Sequence, residues 1–199
     1  MDGAILFSTA TECLDFLHTH AGEDWEAPVP GMDFTVAGVV AHTSTSLLYY
    51  GADLAAGARE LSTTEVKVRA APPGELIRTL GMAARVLAAV VDSSPPEARG
   101  WHPWGVADPS GFLGMACDEL LVHTADAGRG LGVEFVPREA HSRALLARMF
   151  PWAPDDLDAW QTLLWANGRA DLPGHPRPQD WRWHCAPLSE WDGTRPVAV

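Results

Sequence analysis

Glu119 and His123 stand four residues apart in the segment DELLVHTAD. On a helix that interval places both on one face, one turn apart. A carboxylate and an imidazole so placed can point at one ion, and the pair suits zinc and similar divalent metals. The surrounding residues Phe112, Leu113, Met115, Ala116, Leu120 and Val122 are apolar. Either polar side chain on the buried face of such a helix is costly unless it is paired or ligated. Asp126, three past His123 on the same side, either hydrogen-bonds a ligand from behind or faces water. His42 is a third group, set among small and apolar residues in VAGVVAHTSTSLL. Read alone it is a core or boundary histidine. Read with the pair it completes three protein ligands and leaves one position open for water or substrate, the arrangement of catalytic zinc.

Other chemistry-bearing residues carry weaker signals. His184 and Cys185 adjoin in WRWHCAPLSEW, with Glu190 nearby. Adjacent residues ligate one ion poorly, so tryptophan-rich packing is expected there rather than a second metal site. Cys117, two before Glu119, points away from the metal-facing side and reads as a buried, inert thiol. No GxSxG and no P-loop occurs. His18 and His20 sit at the end of the first helix, where histidine is electrostatically favourable. Arg78 and Arg85 share a helix face and read as solvated.

The elements that must position these groups are helices. The first runs from about Ile5 to His20, with Leu14 and Leu17 in the core. Prolines and glycines in GEDWEAPVPGMDF then forbid helix. Thr35 is a good N-cap for a second helix over about Val36 to Gly57. Pro72 and Pro73 open a third near Gly74 to Asp92, with Ile77, Leu80, Ala84, Leu87 and Val91 on one stripe. Asp108 followed by Pro109 starts a fourth, which runs to about Arg129 and ends at Gly130 or Gly132. Four such helices can close a bundle. Shorter helices follow near Arg138–Phe150 and Pro154–Asn167. The tail is rich in proline and carries Trp181, Trp183 and Trp191. An unstructured linker would not hold such residues, so an ordered strap on the bundle is expected. If it crosses the bundle mouth, Trp181, Trp183 or His184 would line the pocket. This organisation divides into a bundle at 1–135 and C-terminal helices with the strap at 136–199.

Composition narrows the partners. The net charge is -12 and Lys67 is the single lysine. Phosphate backbones and anionic membrane surfaces would be repelled. No apolar run reaches the ~20 residues of a membrane span, and the acidic N-terminus lacks a signal peptide's basic region. Cys13, Cys117 and Cys185 are odd in number and form no CxxC pair, which points to a reducing cytoplasm and away from disulfides.

The stretches PVPGMDFTVAGVVAHTSTS and GFLGMACDELLVHTADAGRGLG resemble the DinB/YfiT-like superfamily, specifically the N-terminal domain of mycothiol-dependent maleylpyruvate isomerase. The resemblance covers roughly residues 5–132, with Phe34 where the family usually has tryptophan. It implies an all-α, up-down-down-up four-helix bundle. It also implies a divalent metal on His42, Glu119 and His123; for such ligands zinc is the commonest choice, with nickel or iron behind it. Mycothiol would be the thiol cosubstrate, and the protein a cytoplasmic isomerase or transferase acting on a small electrophile as a monomer or homodimer. The isomerase carries a larger C-terminal α/β domain, for which too few residues follow 132, so a thiol transfer or another thiol-dependent reaction is as open as maleylpyruvate isomerisation. A metal hydrolase, or a non-catalytic metal-containing binding or regulatory protein, stays open on the same bundle.

Overall fold

In the computed structural model, which describes residues 3–196, the chain is all-helical and the described residues form no strand. The long helices are α1 (Gly3–Thr19), α2 (Val36–Ala56), α3 (Pro73–Ser93) and α4 (Pro109–Leu131). Two shorter ones follow, α5 (Glu139–Met149) and α6 (Ala159–Ala166), and Leu188–Glu190 makes a single 3-10 turn. The four long helices fall within two residues of the spans expected from the sequence. Their ends are set by the expected residues. The Thr35 hydroxyl accepts from Gly38 N at 3.1 Å, and the Asp108 carboxylate accepts from Gly111 N at 3.0 Å ahead of Pro109. Each satisfies one of the N–H groups a helix start leaves unpaired. Gly132 takes the left-handed conformation at φ 70° that closes α4.

One helix differs from expectation. α6 begins at Ala159, not Pro154, because the Asp158 carboxylate accepts from Gln161 N at 2.8 Å and caps the helix there. The proline- and aspartate-rich residues before it stay irregular.

α1 and α2 each pack on both α3 and α4. Gly3 lies beside Asp92 and Gly81 beside Leu14, so α1 and α3 run antiparallel. The Cys13 thiol meets the Leu120 carbonyl and Phe16 meets Gly128, so α1 and α4 run parallel. Val36 lies against Gly130 and the Tyr50 ring against Phe112, so α2 opposes α4. The order is therefore up-down-down-up. Leu6, Leu17, Leu47, Leu76, Leu80, Leu87 and Leu120 are fully buried between these helices, each contributing roughly 1.5–3 kcal/mol.

Two polar latches fasten the later chain to the bundle. His141 on α5 binds Glu12 Oε2 through Nδ1 at 2.6 Å and Ser8 Oγ through Nε2 at 2.9 Å. Glu12 also accepts from Arg138 N at 2.9 Å, at the start of α5. Arg148, 4% exposed, donates to Asp108 at 2.5 Å, to Ser110 at 2.6 Å, and to the carbonyls of His184 and Cys185 at 3.0 and 3.2 Å. The tail crosses so closely that the Cys185 carbonyl occupies the space a Cβ would need on Gly111. No helix among the described residues is long and apolar enough to cross a membrane.

Candidate metal centre

The antiparallel pairing of α2 and α4 brings His42, Glu119 and His123 together. Ligand-type atoms of all three lie within 4.8 Å of one another. Glu119 Oε2 is 3.2 Å from His123 Nε2 and 3.8 Å from His42 Nε2. The two imidazoles meet edge to face with centroids 5.1 Å apart. The Glu119 and His123 side chains are nearly buried, whereas His42 exposes 42% of its side chain and stands at the mouth beside Phe34.

The carboxylate is incompletely satisfied. Glu119 Oε1 accepts from the Tyr50 hydroxyl at 3.1 Å, but Oε2 is buried with no well-directed hydrogen bond, His123 Nε2 lying beside it. A buried carboxylate oxygen flanked by two imidazole nitrogens is a donor set that a divalent cation would complete in place of a proton. Behind it, Asp126 is buried and sits 3.0 Å from His123 Nδ1. Of the two roles open to Asp126, it takes the first: it fixes the ring so that Nε2 faces inward. Arg129 at 2.6 Å and Arg169 at 3.3 Å hold Asp126 in turn.

These contacts set the protonation states. Burial disfavours charge on His123, but Asp126 and Glu119 outweigh it and raise its pKa to about 9. Burial also opposes ionisation of Glu119, and the neighbouring His123 overrides it, holding the carboxyl below its usual range. His42 is shifted down, chiefly by burial. In the metal-free chain the cluster is thus a carboxylate–imidazolium pair beside a neutral imidazole, and the cation would replace the proton.

The cluster opens into a cavity of about 420 Å³. Phe34, Tyr50, Trp104, Trp181 and Trp183 form much of its wall, with His102, Asp118, Asn167 and Arg169 as further polar groups. Asp118 is 1% exposed and takes a hydrogen bond on each oxygen, from Trp183 Nε1 at 2.8 Å and Asn167 Nδ2 at 2.9 Å. That bond fixes Trp183 in the wall. Of the three tail residues expected at the mouth, Trp181 and Trp183 line the cavity. His184 instead meets the Pro187 carbonyl at 3.1 Å through Nε2.

His184 and Cys185 form no metal cluster among the described residues. The Cys117 and Cys185 thiols are pushed up to about 12 by burial, so neither is a nucleophile at neutral pH. His18, Arg78 and Arg85 line a separate open groove between α1 and α3. Tyr50, His102, Asp118 and Arg169 escaped the sequence reading. Consecutive acids in an apolar helix were a signal for Asp118; the others had none without the fold.

Residues 7–128 match the family described as the mycothiol maleylpyruvate isomerase N-terminal domain. No curated protein and no solved structure matches the chain. The three clustered residues lie inside the matched span, whereas Asn167, Arg169, Trp181 and Trp183 lie beyond it.

Proposed function

This chain belongs to the mycothiol maleylpyruvate isomerase N-terminal domain family, and from that premise we propose that His42, Glu119 and His123 hold a divalent metal. Zinc is the first choice. The metal's open position takes a low-molecular-weight thiol such as mycothiol, and the protein is a thiol-dependent isomerase or S-transferase for a small electrophile. When bound, the metal would lower the thiol's pKa and keep its sulfur nucleophilic at neutral pH. The protein's own residues do the rest. Asp126 orients His123, Tyr50 holds the outer oxygen of Glu119, and the tryptophan wall excludes water beside the reacting sulfur.

The observation that carries this reading is the convergence of the buried Glu119 Oε2 and the Nε2 atoms of His42 and His123 at the end of a cavity. Its test is metal analysis followed by calorimetry of the zinc-loaded protein with mycothiol. Binding heat that requires zinc and disappears in His123→Ala supports the reading. A protein that takes up no divalent metal refutes the site. One that holds zinc but ignores the thiol refutes the thiol chemistry and leaves water activation or plain binding on the same cluster.

A further inference from the structure

His102 sits in the loop between α3 and α4, 9% exposed, in the cavity wall. Its Nδ1 accepts the Trp104 backbone N–H at 3.2 Å, and the Cys185 sulfur lies on the same side at 4.0 Å. An imidazole that accepts on Nδ1 carries its proton on Nε2. Among the described residues no group takes that Nε2–H, yet the atom is not among those sealed in the core without a partner. It therefore opens on the cavity. The ring is framed by Tyr50, Trp104 and Trp183, with centroids 5.9, 5.7 and 5.8 Å away. Trp104, Trp181 and Trp183 pack on one another at 4.7–5.5 Å, making a continuous aromatic wall.

We propose that this wall binds a planar aromatic or conjugated group of the second substrate, and that His102 donates its Nε2–H to an oxygen of that substrate. The proposal rests on the thiol-transfer reading for the word substrate, but the subsite needs no metal. Burial lowers the His102 pKa to about 4, so the ring is neutral at physiological pH and its tautomer is set by the backbone contact. The ring then works as a fixed hydrogen-bond donor, the type that stabilises oxygen gaining negative charge when a nucleophile attacks. The Arg182 guanidinium already takes the place of a cation over Trp104 at 5.9 Å, and the cavity's carboxylates, Asp118 and Glu119, are engaged by Trp183, Asn167, Tyr50 and His123. Because Trp181 and Trp183 lie outside the family match, this specificity is written by the tail of this chain.

The test uses three neutral or charged probes on the full-length protein, followed by tryptophan fluorescence. Acetophenone is flat with an acceptor oxygen, toluene is flat without one, and tetramethylammonium is a cation. Acetophenone is expected to bind tightest. His102→Ala should weaken acetophenone about tenfold more than it weakens toluene, the worth of one buried hydrogen bond. His102→Gln, which restores a donor, should recover most of the loss. Nitrogen-15 spectra should show one histidine with the proton on Nε2 down to about pH 5, absent in His102→Gln. Equal acetophenone binding in His102→Ala, a proton found on Nδ1, or preference for tetramethylammonium overturns the proposal. Titrations with and without zinc separate the two readings: failure to take up metal removes the cluster's role, and unchanged probe binding in that same protein keeps the subsite.

Discussion

Replacing Asp126 with asparagine isolates what the carboxylate behind His123 does. Asp126 is 3% exposed at its side chain, 3.0 Å from His123 Nδ1, and paired with Arg129 and Arg169. An amide oxygen keeps the acceptor and the ring orientation while removing the charge. Two effects then oppose each other. Loss of a charged outer partner weakens a metal ligand, by about 10–100-fold in affinity. The second effect is proton competition. In the metal-free protein His123 is raised to about 9, so at pH 7 a proton must leave before it ligates. That competition lowers apparent affinity about 100-fold, or about 2.7 kcal/mol. Without the Asp126 charge the proton is held less tightly and the competition shrinks. Wild-type zinc affinity should therefore rise about tenfold per pH unit from pH 7 to 9, and the rise in Asp126→Asn should level off earlier. The gap between the two proteins should be small at pH 7 and grow to about 10–100-fold at pH 9. Chelator competition measures the affinities. Calorimetry in buffers of different ionisation enthalpy counts the released proton, about one per zinc at pH 7 in the wild type. A wild-type affinity flat from pH 7 to 9, or a gap that does not widen, refutes the reasoning.

The same shift has a consequence without metal. Because the folded pKa of His123 lies above its unfolded value, its stabilising contribution is full below about pH 6.5 and lost as pH rises through about 9. Melts of the metal-free protein should show stability falling across that window. Asp53, buried on α2, is raised to about 6 by burial first and Glu60 second. Folding thus penalises its ionised form, so Asp53→Asn should stabilise at pH 7 by about 1 kcal/mol, after discounting for solvent screening, and by nothing at pH 3.5. Arg148→Met would remove the cationic partner of the Asp108 carboxylate, leaving it only the Gly111 N–H, and take the donor from two tail carbonyls. It should cost about 3–5 kcal/mol in denaturant unfolding, and a loss under 1 kcal/mol would show that the latch is idle. His141→Ala removes the bridge to Ser8 and Glu12. It should cost about 2–4 kcal/mol while zinc affinity stays unchanged, since none of these residues lines the metal cavity.

What the sequence by itself determined is local. Apolar stripes at helical spacing, Thr35, the Asp108–Pro109 pair and Gly132 define where the long helices begin and end, because caps and periodicity act within a few residues. The four-residue step from Glu119 to His123 placed both on one face for the same reason. Where two starts were open, at Pro154 and at Ala159, the Asp158 cap set the later one. The tertiary structure decided the rest. His42 reaches Glu119 only because α2 runs antiparallel to α4, an arrangement the resemblance implied and composition did not. Tyr50, Trp183 and Asn167 meet Glu119 or Asp118 across 49 to 69 residues of chain. No short-range rule encodes those meetings, because which faces bury together is settled by packing the whole bundle and its tail at once.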